Sequence, residues 1–155
     1  MDSAAGVHRA IRACAAVGLA LLIATPASPV PSSLRSQSDL SDLTDAFMRN
    51  LVANDVRAAY RLAARFWPLA PSKLASLIED GVARRKDLRK TLGLSLGYEL
   101  VASEEAGERV VRISHIERFD NGAVVWRFLF YRADTSWQLV GLQETEDLSI
   151  LFAAP

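Results

Sequence analysis

Apolar residues return every three or four positions between Asp39 and Gly93, and on every second position after Leu94, so the chain changes period once along its length. In the first part Leu40, Leu43, Phe47, Met48, Leu51 and Val52 share one helical face. Ser38 or Ser41 is expected to cap that helix, with Asp39, Asp42 and Asp45 near the positive end of its dipole. Asn54-Asp55 interrupts the pattern, and Asp55 is expected to cap a second helix on which Val56, Ala59, Tyr60, Ala63, Phe66 and Trp67 align until Pro68 ends it. A third helix, capped by Ser72, turns Leu74, Leu77, Ile78 and Val82 inward and runs on through Leu88 and Leu92 to Gly93. The basic run Arg84-Arg85-Lys86 on its later turns reads as a solvated face, favoured near the negative end of the dipole.

After Leu94 the alternation, rich in Val, Ile, Phe, Tyr and Trp, predicts four strands: Leu96–Ser103, Arg109–Phe119, Ala123–Arg132 and Ser136–Glu144. The short connections at Glu104–Gly107, Asp120–Gly122 and Ala133–Thr135 favour consecutive hairpins, with Asn121-Gly122 the strongest turn signal. In the third strand Val124, Trp126, Phe128 and Phe130 form the expected core face. A last short helix, Asp147–Phe152, would fold Leu148, Leu151 and Phe152 onto the body.

The first residues change what this pattern means. His8, Arg9 and Arg12 precede an uncharged run of 12 residues, Ala13–Ala24, too short for a permanent span and suited to a signal-peptide core. Small residues Ala24 and Ala27 and the helix breakers Pro26, Pro29 and Pro31 follow, so cleavage is expected near Ala27. The organisation that results is a leader over 1–27, a flexible lead-in over 28–38 and one domain over 39–155, expected to be exported as a periplasmic or secreted protein. Loss of the leader removes Cys14, the single cysteine, and leaves stability to burial alone. It also turns 18 basic and 18 acidic residues into 16 and 17, since Arg9, Arg12 and Asp2 go with it. A near-neutral chain without a basic stripe argues against nucleic acid as a partner.

The segments Gly97-Tyr98-Glu99-Leu100-Val101, Gly107-Glu108-Arg109-Val110, Trp126-Arg127-Phe128-Leu129-Phe130-Tyr131-Arg132 and Trp137-Gln138-Leu139 follow an opening pair marked by Asp45-Ala46-Phe47-Met48 and Asn54-Asp55. In that order they resemble exported bacterial members of the nuclear transport factor 2-like and cystatin-like families, over Asp39 to Phe152. The resemblance implies an α+β cone, with N-terminal helices packed on a curved four-stranded antiparallel sheet, and a homodimer through the sheet face. Enzymes of that fold, such as ketosteroid isomerase and scytalone dehydratase, set an acid or a histidine in the cone's cavity. No motif here matches theirs position by position, so no catalytic residue is carried over, and fold alone does not fix function.

Candidate chemistry is sparse. His115 with Glu117 on one face of a strand suits a base and its orienter, although strand histidines are commonly half-exposed polar residues. A lone histidine without a second His or Cys does not make a usual transition-metal site, and the acids Glu104-Glu105, Glu144, Glu146 and Asp147 lack the spacing of a calcium loop. Arg112, Arg118 and Arg127 either converge on an anion or pair with Glu99, Glu108 and Glu117 across the sheet. Tyr60, Trp67 and Trp126 are candidates to line an aromatic pocket, and with Arg112 and His115 they form the expected ligand-binding set. The expectation is an exported non-enzymatic domain binding a small molecule or a protein, without metal or cofactor. The alternatives are a cavity enzyme of the isomerase or dehydratase type, or a membrane-tethered assembly component if the leader stays attached.

Overall fold

A computed structural model describes residues 32–152; the expected leader and its expected cleavage near Ala27 lie outside them. Three α-helices, α1 (Gln37–Val52), α2 (Val56–Ala64) and α3 (Pro71–Thr91), precede four strands, β1 (Ser95–Ala106), β2 (Val110–Phe119), β3 (Gly122–Arg132) and β4 (Trp137–Thr145), and a 3₁₀ turn, η1 (Leu148–Leu151). All strand pairs are antiparallel and the sheet order is β1-β2-β3-β4, a meander in the α+β class.

The helices begin where side chains or proline satisfy the free backbone amides, at positions that differ from the expected ones. α1 is capped two residues before the nearer expected cap, Ser38, because Ser36 and Asp39 form a reciprocal capping box. Ordered contacts therefore reach into the stretch expected to be a flexible lead-in: Leu34 is buried and its carbonyl accepts from the Trp137 amide. Pro71 opens α3 at a first-turn position where no amide is needed, so Ser72 is not its cap. α2 stops at Ala64, short of Phe66 and Trp67, which lie in the turn that follows. Between α1 and α2 the backbone reverses at Asn54, the sole non-glycine residue with positive φ among the described residues (63°), a conformation asparagine tolerates.

The alternation in β3 places its side chains as expected. Val124, Trp126, Phe128 and Phe130 are all buried, and Phe47 of α1 packs on the middle pair, its ring centroid 5.9 Å from Trp126 and 5.2 Å from Phe128. β2 contributes Val111, Ile113, His115, Glu117 and Phe119 to the same face, and β4 contributes Trp137 and Leu139. The β2–β3 turn is one residue earlier than the Asn-Gly signal suggests: Phe119 pairs with Gly122, leaving Asp120-Asn121 as the loop. That loop is fastened to the end of α3. The Leu94 amide donates to Asp120 Oδ2 at 2.6 Å and the Asn121 amide to the Leu92 carbonyl at 2.9 Å. Gly93 is required there because it has φ 89° and a Cβ would lie 2.5 Å from Asp120 Oδ2.

The two sheet edges differ. On β4 the amides of Trp137 and Leu139 donate to the carbonyls of Leu34 and Phe66, outside the sheet. β1 is uncovered by any further strand among the described residues and is interrupted by register shifts between Ser95 and Gly97 and between Leu100 and Ala102. On the sheet face away from the helices η1 packs against β3, where Arg127 donates to the Ile150 carbonyl. Phe152, expected to fold back, is instead 86% exposed, since the turn ends before its side chain reaches the sheet.

Candidate functional site

A buried ion pair and a cationic cleft meet at one residue, Arg85. The period of α3 places Ile78, Arg85 and Leu88 on its inward face, so the arginine points at the sheet although the surrounding run is basic. This corrects the reading of Arg84-Arg85-Lys86 as a wholly solvated face. Arg85 Nη1 donates to Glu117 Oε1 at 2.7 Å, Nη2 donates to the Leu51 carbonyl at 2.7 Å, and the guanidinium stands 5.3 Å from the Phe119 ring. Glu117 is fully buried and also accepts from Ser95 Oγ at 2.6 Å and Trp126 Nε1 at 3.2 Å. Three donors surround one carboxylate, as burial of a charge requires. The Arg85 Nε, also buried, has no partner among the described residues.

Arg85 also forms the inner wall of a wide concavity on the surface. Asn54, Asp55, Val56 and Arg57 from the start of α2 face Val82, Arg85, Lys86, Arg89 and Lys90 of α3 across about 580 Å³. Five of these nine side chains are cationic and one, Asp55, is anionic. Arg57 is held by Glu79 at 2.7 and 3.2 Å, and Lys90 stands 3.7 Å from Asp87. Lys86 and Arg89 are exposed and have no carboxylate within 4.0 Å among the described residues.

Behind Arg85, between α3 and the sheet, the space is nearly filled. Leu51, Tyr60, Gly81, Trp126 and Glu144 enclose about 10 Å³, room for a single water at most. The Tyr60 ring seals this interior against α3, and only glycine fits opposite it, because a Cβ at Gly81 would lie 2.8 Å from the ring. Burial pushes the Tyr60 hydroxyl up to about 12 and raises the Glu144 carboxyl, the latter opposed by the Arg84 guanidinium that bonds it. The interior thus has titratable groups but no space beside them.

The expected ligand-binding residues are distributed over four places. Tyr60 and Trp126 both pack on Phe47 in the core. Trp67 lines a separate open groove of about 310 Å³ with Leu34 and Trp137. Arg112 is on the opposite sheet face, paired with its cross-strand neighbour Glu104 at 2.7 and 2.8 Å rather than with Glu99, Glu108 or Glu117. It shares a shallow depression of about 280 Å³ with Arg127 and Leu129.

His115 is buried rather than half-exposed, and Glu117 belongs to Arg85 rather than to the imidazole. Its Nε2 meets Thr44 Oγ1 at 3.0 Å, and the Thr44 hydroxyl donates to the Ser41 carbonyl. The ring therefore donates from Nε2 and keeps a bare lone pair on Nδ1, which has no partner among the described residues. Burial lowers its pKa to about 4, against a weaker upward pull from Asp45.

Between the ordinary value near 6.5 and about 4, the unfolded chain takes up a proton that folded His115 refuses, so stability declines as pH falls through that window. From neutral pH to about pH 4.5 this one group is expected to remove about 2 kcal/mol. Urea unfolding of the wild type and His115→Gln at both pH values measures it. The variant should lose less stability by about that amount, and parallel pH profiles would refute the assignment.

Among the described residues no group of three or more His, Cys, Asp or Glu is arranged to hold a metal ion, and no helix is long and apolar enough to cross a membrane. Taken together, fold and cleft define an α+β meander domain with a basic cleft that lies outside its core. No protein family, curated protein or solved structure matches the chain.

Proposed function

We propose that the chain is an exported, non-enzymatic binding domain and that its ligand occupies the cleft between the start of α2 and the second half of α3. The observation that carries this reading is the contrast in available space: about 580 Å³ outside Arg85 and about 10 Å³ inside it. Ligand sites for small organic molecules run from about 300 to 1,000 Å³, a range that includes the cleft and excludes the interior. The cavity-enzyme alternative needs such space beside a titratable group, and Tyr60, Glu117 and Glu144 lack it. Export is inferred from the basic start and apolar run of residues 1–27, and the cone resemblance from helices followed by an antiparallel meander.

A fragment screen on the leader-free chain tests the proposal by amide chemical shifts. Binders are expected to perturb Asn54–Arg57 and Val82–Lys90. Perturbations confined to Trp126, Glu144 and the residues around Tyr60 would overturn it in favour of an interior site. The homodimer implied by the resemblance would use the sheet face opposite the helices, where Leu129, Tyr131 and Val140 are each about two-fifths exposed. Sedimentation equilibrium decides that point, since a monomer mass at every concentration removes the pairing.

A further inference from the structure

We infer that the cleft at α2 and α3 is a phosphate site, built for the phosphate group of a small phosphorylated organic molecule. This rests on the reading of the cleft as the binding site and adds the class of ligand.

The first support is the repulsion built into α3. Arg85 and Arg89, and Lys86 and Lys90, are four residues apart, and Lys86 and Arg89 three apart, so like charges are neighbours on one helical surface. Each such pair disfavours the helix when nothing negative stands in front of it. Among the described residues no carboxylate lies within 4.0 Å of Lys86 or Arg89 to relieve them, and both line the cleft. An anion seated there relieves several of these contacts at once, and a dianion does so more fully than a single carboxylate.

The second support comes from the opposite wall. α2 starts in the cleft, so the positive end of its dipole opens on the same space as the α3 cations. Its cap, Asp55, accepts from the Ala58 amide at 3.0 Å and places one negative charge on that side. The phosphate is therefore displaced toward α3, and Lys86 and Arg89 become its main contacts. Arg85, only 5% exposed and fixed from behind by Glu117, supplies a cation at the inner end whose Nε remains unpartnered among the described residues.

The third support limits the rest of the molecule. The cleft is several times larger than a phosphate ion, and Val56 and Val82 offer apolar surface beside the charges, so an organic body belongs with the anionic group. The lining has no aromatic side chain on which bases would stack, and this disfavours a single-stranded nucleic acid.

Phenyl phosphate, inorganic phosphate, benzoate and phenol, titrated into the leader-free chain at low salt, test the inference by amide shifts. Phenyl phosphate is expected to bind tightest and to move Asn54–Arg57 and Lys86–Lys90. Its affinity is expected to fall about tenfold or more in Lys86→Glu/Arg89→Glu and to weaken steadily with added salt. Both positions are exposed, and the thermal melt of the variant verifies that it folds. If benzoate or phenol occupies the cleft as tightly as phenyl phosphate, or the charge reversal leaves phosphate affinity unchanged, the phosphate inference fails and the binding reading survives. If no compound moves these amides while other fragments bind elsewhere, both fail.

Discussion

Replacing Arg85 with methionine is expected to destabilise the domain by about 3–5 kcal/mol, the loss seen when one partner of a buried ion pair is removed. The side chains of Arg85 and Glu117 are 6% and 0% exposed, so the remaining carboxylate has no access to water that would replace its partner. Ser95 and Trp126 still donate to it, but two neutral donors do not neutralise a charge. Glu117→Gln alone leaves the guanidinium unpaired and is expected to be similarly damaging. The double variant Arg85→Met/Glu117→Gln removes both charges and keeps an acceptor for Ser95 and Trp126, so it should regain most of the loss. Urea unfolding of the four proteins forms a double-mutant cycle, and a coupling below about 1 kcal/mol would show that the pair does not act as a unit.

The second large effect concerns Phe47. Its ring is fully buried and packs edge-on against Tyr60 at 5.5 Å and Phe128 at 5.2 Å, with Trp126 at 5.9 Å. One side chain thus joins α1 to α2 and to the middle of the sheet. Truncation in Phe47→Ala is expected to lose about 3–5 kcal/mol, combining lost transfer energy with the cavity that neighbours on two other elements cannot jointly fill. Phe47→Leu retains most of the volume and should lose only about 1–1.5 kcal/mol. Equal losses in the two variants, measured at constant m-value, would contradict the view that volume at this point is what matters.

The architecture was legible because two periods report two kinds of surface. Spacing near 3.6 marked the inward stripes of α1 and α2, and alternation marked Trp126, Phe128 and Phe130 as core. The same periods also reach Arg85 and Glu117. Arg85 follows Ile78 by seven residues on the α3 stripe, and Glu117 continues the series Val111, Ile113 and His115 in β2. Arg85 was read as part of a solvated face and Glu117 as a partner of His115 or of a cross-strand arginine, because the burial of each depends on a partner 32 residues away that no local pattern reveals. The cleft was less legible still. Its cations stand in the sequence as an ordinary basic helix end, and only the approach of the α2 start gives them a second wall. Tyr60 and Trp126, candidates for a pocket lining as well as for the core, pack in the core.

The unequal sheet edges bear on assembly. Growth of a fibril by strand addition requires each unit to offer two competent borders, one to receive and one to present. Here the leading part of β4 is already engaged by Leu34 and Phe66, so open backbone is on offer chiefly along β1, and there two register shifts interrupt the ladder. Edge-to-edge contact between copies is thus expected along β1, and among the described residues the engaged start of β4 leaves a shorter border from which a row of copies could continue.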